Sequence, residues 1–395
     1  MRTALWLAVL WLGLFSPLQA QDATDAAPSA ELRISLLTFA PGAVYWQRFG
    51  HNALLVENTI NGANAVYNYG LFDFFQKNFF LNFARGHMVY RLGVQSLDDT
   101  LSAYAAEGRW VYQQVLALDA QQKLELAEFL HRNAQPDRRE YRYDYFRDNC
   151  STRVRDALDH TLGGALKATL SAQPVNSSYR FEATRLMRPI LPLALGMDAI
   201  MGPAGDAPMS RWQQSFVPAV FMQAVAAQQV NGHPLVASAG YLLADSHSPV
   251  APDAPLHWIG WALALGLGLG ALLVWAAQQP GRLGFGLLAT PLLLLAGLAG
   301  LFMLAAWTLT EHWAMASNYN LLLFSPLALL LIPVVWMQPA THQPPQLTRQ
   351  GLRLCIWAML IGAGLSALAP QQHWPWLALW LPLHAALAYG LLRRL

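Results

Sequence analysis

Cys150 is the residue on which chemistry would turn, in the stretch Tyr143-Asp144-Tyr145-Phe146-Arg147-Asp148-Asn149-Cys150-Ser151-Thr152-Arg153. Aromatic and polar residues alternate up to Phe146, which predicts a half-buried strand. Apolar spacing at Val154, Leu158 and Leu162 predicts a helix beginning at Ser151. A thiol at such a junction faces unpaired N–H groups and the positive end of the helix dipole, both of which favour the thiolate. Arg147, Arg153 and Arg155 push the same way. A small buried thiol capping a helix is the plainer alternative. The only other cysteine, Cys355, falls in a predicted membrane helix, so Cys150 has no partner within reach.

A base for such a nucleophile stands upstream. Gly50-His51-Asn52-Ala53-Leu54-Leu55-Val56 reads as a turn followed by a buried strand, with His51 at the strand mouth. Residues 65–70 (Ala-Val-Tyr-Asn-Tyr-Gly) form the natural neighbour. If the two pair antiparallel, Asn68 is placed to orient the imidazole as the third member of a cysteine triad.

The elements that must hold these residues read as α+β. Residues 31–39 alternate as a strand, 73–84 are aromatic-rich with helical spacing, and 88–94 form another strand. A helix starts at Ser96 and a strand covers 110–118. Asp119 and Gln122 form a capping box for a helix ending near Asn133. Strands therefore gather before the nucleophile in a domain spanning 31–165. Gly163-Gly164 ends the Cys150 helix, and 166–255 read as an irregular helical, proline-rich extension that either packs on the membrane half or forms a lid.

Composition sets the compartment. Apolar residues make up 55% of the 395 positions, yet after residue 256 only Arg282, Glu311, Arg349, Arg353, Arg393 and Arg394 are charged. Residues 1–20 read as a signal peptide, with Arg2, an apolar core and a Leu-Gln-Ala end, followed by a small-residue linker at 21–30. Five apolar stretches, 256–277, 283–309, 321–337, 352–369 and 374–392, approach or reach the length of a membrane span. An exported amino-terminal domain sends the first of them inward. The arginines at 282, 349, 353, 393 and 394 then lie at the cytoplasmic side, as the positive-inside rule requires, and the carboxyl terminus is cytoplasmic. The outer loop 310–320 is polar and aromatic. Trp313 and Tyr319 fit interfacial anchors there, and so do Trp374 and Trp376 on the next outer loop. His312, Asn318 and Asn320 are candidates for handling a lipid head group. A net charge of +2 without any basic run gives no support for a nucleic-acid partner.

Phe49-Gly50-His51-Asn52, Tyr143-Asp144-Tyr145, Asp148-Asn149-Cys150-Ser151-Thr152-Arg153 and the outer loop His312…Asn318-Tyr319-Asn320-Leu321 together resemble the Lnb-type lipoprotein N-acyltransferase family. The resemblance runs over nearly the whole mature chain, and its specific part is the D-N-C-S-T-R stretch following an F-G-H strand. It implies a periplasmic domain with a permuted papain-like fold, related to NlpC and lecithin:retinol acyltransferase enzymes, on a five-helix membrane domain in the bacterial inner membrane. It also implies that Cys150 is the nucleophile and His51 its base, with Asn149, Arg153, His312, Asn318 and Asn320 as substrate contacts. Cys150 would take an acyl chain from a phospholipid as a thioester and pass it to the α-amine of a diacylglyceryl-cysteine lipoprotein, with no metal or cofactor. The alternatives are an NlpC-type peptidase or amidase, a phospholipase or thioesterase, and a membrane-anchored binding or assembly module.

Overall fold

The computed structural model describes residues 31–230, 232–244, 248–337 and 344–395. The expected signal peptide and linker lie outside these residues. A seven-stranded, wholly antiparallel sheet organises the amino-terminal half. Its strands are β1 (Leu32–Phe39), β2 (His51–Asn58), β3 (Asn64–Leu71), β4 (Val89–Gln95), β5 (Val111–Leu116), β6 (Glu140–Arg142) and β7 (Val236–Leu243), in the spatial order β7-β5-β1-β2-β3-β4-β6.

Alternation along the central strands buries both faces of the sheet. Ile34, Leu36, Leu54 and Tyr67 meet Val154, Ala157 and Leu158 of the Cys150–Thr161 helix. Leu37, Ala53, Leu55 and Val66 pack with Leu97, Leu101 and Tyr104 of the Leu97–Ala106 helix. Ser96 caps that second helix and Asp119 caps the Ala120–Asn133 helix through a full capping box, both where the residue types demand it.

Three features of this half depart from the sequence pattern. The strand expected up to Phe146 stops at Arg142, because the Asp144 carboxylate accepts from the N–H groups of Phe146 and Arg147 and folds the segment into a turn closed by an Asp144–Asp148 bridge. The helix expected over 73–84 begins only at Phe79. The strands are not confined to the region before the nucleophile, for β7 returns from residue 236 to the sheet edge beside β5. Most of β7 is exposed, so it lacks the apolar alternation that announces a strand. The extension before it is largely helical, over Ala165–Ser171, Tyr179–Met187, Leu191–Ile200 and Pro218–Ala227.

Four described segments of the carboxyl-terminal half are long and apolar enough to cross a membrane: Ile259–Gln278, Leu283–Thr308, Trp313–Val335 and Trp374–Leu392. Gly266 and Gly270 let the first pack directly on the backbone of the last. A Cβ on Gly266 would lie 2.5 Å from the Leu379 carbonyl oxygen. The third segment is a chain of 3₁₀ turns at Trp313–Met315, Tyr319–Leu322 and Pro326–Leu331 with one α turn at Ile332–Val335, not the continuous helix its apolar length suggests. Pro326 and Pro333 remove the N–H donors a regular helix would use there. A further helix, Gln346–Ser366, covers the expected span 352–369 as far as Ser366, where the chain turns, and it begins with polar residues and the charges of Arg349 and Arg353, which lower its hydropathy. It packs against the core through Ile356, Met359 and Ala363.

Candidate active site

The β2–β3 register pairs Leu54 with Tyr67 and Val56 with Ala65. Continued toward the start of β2, it sets His51 opposite Gly70, one residue pair away from Asn68 on the same sheet face. The His51 Nε2 and Asn68 Oδ1 atoms are 2.7 Å apart. Since an amide oxygen only accepts, Nε2 carries the proton, leaving Nδ1 for the sulfur. Asn68 is buried, and its own amide donates to Gln95 Oε1 at 3.2 Å, which fixes which end of the side chain meets the ring. His51 also packs on Phe39, its cross-strand partner, with ring centroids 5.5 Å apart.

Cys150 is the first residue of its helix, and Asn149 is the cap. The Asn149 side chain accepts from the Thr152 N–H at 2.9 Å while Thr152 Oγ1 accepts from the Asn149 N–H at 2.7 Å. The helix start is tied to β2 by Ser151, whose hydroxyl lies 2.8 Å from Asn52 Oδ1. Asn52 is fully buried and donates to Thr38 Oγ1 at 2.8 Å. Gly70 completes the placement. Its φ is +94° and a Cβ there would lie 3.4 Å from Cys150 Cβ, so the glycine leaves the space that Cys150 occupies beside the ring.

Thiol and imidazole shift each other. Burial alone would raise the Cys150 pKa, but the His51 charge and hydrogen bond, with backbone N–H groups of Asn52 and Ser151, outweigh it and hold the thiol below its usual range. Burial would likewise lower His51. The facing sulfur and the Asn68 bond reverse this and raise it, with the Arg109 charge opposing weakly. Both shifts favour a thiolate–imidazolium pair, with Asn68 on the far nitrogen of the ring. Tyr141 and Tyr143 both feel the Cys150 charge, and their hydroxyls are pushed up first by burial and then by that charge, so both stay protonated. The Tyr141 hydroxyl is buried and has no hydrogen-bond partner among the described residues.

The other site residues expected from the sequence have different surroundings. Besides capping the helix, Asn149 donates to the Tyr145 and Phe216 carbonyls at 3.0 and 2.9 Å, so its amide is committed to backbone. Arg153 is ion-paired with Asp148 and lies 4.2 Å over the Tyr141 ring. His312 Nε2 lies 3.0 Å from the Phe83 carbonyl oxygen, and its ring stacks on Tyr145 at 6.0 Å. Asn318 and Asn320 are buried and donate to the Ala199 carbonyl at 2.9 and 2.7 Å, clamping the end of the Leu191–Ile200 helix. Trp313 is not an interfacial anchor: its Nε1 donates to Asp144 Oδ2 at 2.8 Å and the Arg147 guanidinium stacks 3.5 Å over its ring. Trp376 likewise donates to Asp198 Oδ2 at 2.9 Å. Loop 310–320 is thus bolted to the sheet domain, whose turn 144–147 rests on Trp313, and the start of the Trp374–Leu392 helix is bolted to the Leu191–Ile200 helix of the extension. Sequence reading missed this fastening because hydrogen-bonded and lipid-anchoring tryptophans look alike in a sequence.

An α+β domain with a cysteine–histidine–asparagine constellation, fastened to a helical membrane domain, defines the class. Two family models match the chain, the Lnb N-terminal periplasmic domain over residues 19–184 and the Lnb transmembrane domain over residues 255–393. The chain belongs to the Lnb family. No curated protein and no solved structure matches it.

Proposed function

We propose that the protein is a lipoprotein N-acyltransferase of the inner membrane, working through a Cys150 thioester. Membership of the Lnb family supports the acyltransferase reading. The observation that carries the mechanism is the Cys150–His51–Asn68 arrangement at a helix start. The order of a histidine strand, an asparagine strand and then a cysteine helix fits a permuted papain-like domain, and Gln346–Ser366 serves as the fifth membrane helix.

The Cys150 thiolate attacks the carbonyl carbon of a phospholipid acyl ester. The oxyanion is held by backbone N–H groups at the helix start and by the Tyr141 hydroxyl, a buried donor with no hydrogen-bond partner among the described residues. Collapse breaks the ester C–O bond, and the His51 imidazolium gives its proton to the departing lysophospholipid oxygen. In the second half the α-amine of a diacylglyceryl-cysteine lipoprotein attacks the thioester, neutral His51 takes the amine proton, and the thiolate leaves to restore the pair. Dividing the transfer this way lets one site serve two lipid substrates in turn. We assign head-group contact to His312, half-buried beside Tyr145. Asn149, Asn318 and Asn320, whose amides hold backbone carbonyls, act as positioning residues, and Arg153 steadies Tyr141.

The test is full-length protein in phospholipid nanodiscs with a synthetic diacylated lipopeptide bearing a free α-amine. Mass spectrometry of the peptide is expected to register the gain of one acyl chain, absent with Cys150→Ser or His51→Ala. Release of free fatty acid with no acylated peptide would make the protein a lipase, and cleavage of cell-wall peptide alone would make it a peptidase.

A further inference from the structure

Residues 72–85 carry five phenylalanines besides Phe72, and most of that apolar surface faces outward. Phe75 is 85% and Phe80 76% exposed, and Phe74, Leu81 and Phe83 are exposed beside them. Trp46 joins the patch, with its ring centroid 6.1 Å from that of Phe74. A contiguous surface of this kind needs a cover.

Its position says which cover. The Phe79–Arg85 helix ends on the membrane domain: the Glu311 N–H donates to the Arg85 carbonyl at 2.9 Å, and the Glu311 carboxylate is hydrogen-bonded to His87 and ion-paired with Arg142. A Cβ on Gly86 would lie 3.3 Å from the Glu311 backbone, so the two segments touch. Glu311 is three residues past the end of the Leu283–Thr308 membrane helix, and Leu309, just before it, is 74% exposed. A seven-residue helix is only about 10 Å long, and the head-group zone is about 5–8 Å deep on each side of the hydrocarbon. The patch therefore lies at the level where the membrane helix leaves the bilayer. Lys77 and Arg85, both exposed, flank the aromatic residues as basic groups flank an interfacial helix.

From this surface a line of rings leads inward. Phe72 packs on Tyr90 at 5.2 Å, and Tyr90 stacks on Tyr143 at 4.0 Å. Tyr143 feels the Cys150 charge.

We propose that residues 74–85 insert into the head-group and acyl boundary of the leaflet facing the sheet domain, and that a phospholipid acyl chain passes along Phe72, Tyr90 and Tyr143 to Cys150. The insertion needs only that the helices span a membrane. The delivery route rests on the acyltransferase reading above.

The experiment uses full-length protein carrying Cys150→Ser and Cys355→Ser, with Phe75→Cys, Phe80→Cys or Ile60→Cys added singly and labelled with an environment-sensitive fluorophore, in nanodiscs containing a lipid spin-labelled near the head group. Ile60 is exposed at the β2–β3 turn, the end of β2 opposite His51. Labels at 75 and 80 are expected to shift to the blue and be quenched by the spin label, while the label at 60 is not. Labels at 75 and 80 that behave like the one at 60 would overturn insertion. Because Cys150 is absent, this arm holds or fails independently of acyl transfer. In the active protein, Phe75→Asp with Phe80→Asp is expected to raise KM for vesicle phospholipid by about tenfold or more, with turnover of a short-chain soluble ester unchanged. An unchanged KM, or equal loss on both esters, would overturn the delivery route.

Discussion

Replacing Asn68 by alanine removes the acceptor of the 2.7 Å bond to His51 Nε2 and little else, since its remaining partner is the neutral Gln95 amide. The bond is charge-assisted whenever His51 is protonated. Such bonds contribute about 1.5–3 kcal/mol, which converts to a loss of about 10- to 150-fold in acyl transfer. The same change acts on the nucleophile. Asn68 helps to hold the His51 pKa up, and the His51 charge holds the Cys150 pKa down. Without Asn68 the histidine pKa falls, the thiol pKa climbs, and less thiolate is present at neutral pH. The assay is the rate of Cys150 alkylation by iodoacetamide as a function of pH, in a Cys355→Ser background. Asn68→Ala is expected to move the alkylation profile to higher pH and to slow the reaction at neutral pH, and Gln95→Ala to do so only slightly. A folded Asn68→Ala protein with the unaltered alkylation profile and full activity would refute the reasoning.

The active pair, thiolate with imidazolium, exists above the lowered Cys150 pKa and below the raised His51 pKa. Activity is therefore expected to follow a bell whose acid limb lies below the ordinary thiol range and whose alkaline limb lies above the ordinary histidine value, as a pH series of initial rates would reveal. Tyr141→Phe removes the proposed oxyanion donor and should lower turnover by about 100-fold while leaving the alkylation profile of Cys150 in place. Arg180 is buried and binds Asp206 at 2.6 Å and the Met201 carbonyl at 2.6 Å, next to the loop where Gln372 N–H also meets Asp206. Arg180→Ala leaves that carboxylate buried without its partner, and thermal unfolding should register a loss of about 3–5 kcal/mol.

The Cys150 helix start and the His51 strand were legible because their signals are local. Asn149 and Thr152 announce a capped helix, and His51 precedes an apolar strand run. Asn68 could be reached by one further step, since antiparallel pairing of β2 and β3 leaves few polar side chains within range of the ring. What escaped was set by distant contacts. The exposed strand β7 is defined by its backbone pairing with β5 and not by its side chains. Apolar length in Trp313–Val335 predicts membrane residence but does not separate α from 3₁₀ turns, which the prolines decide. Trp313 and Trp376 were indistinguishable from lipid anchors until their partners Asp144 and Asp198, far away in sequence, came into view.

The central claim is that Cys150 carries the acyl chain. Intact-mass analysis after brief mixing of the full-length protein with phospholipid, followed by peptide mapping, tests it most directly. The account predicts a mass increment of one acyl group on the peptide containing Cys150, removed by neutral hydroxylamine and discharged by an amine acceptor. Full N-acylation of a lipopeptide by protein that never acquires this increment, or by the Cys150→Ser variant, would contradict it.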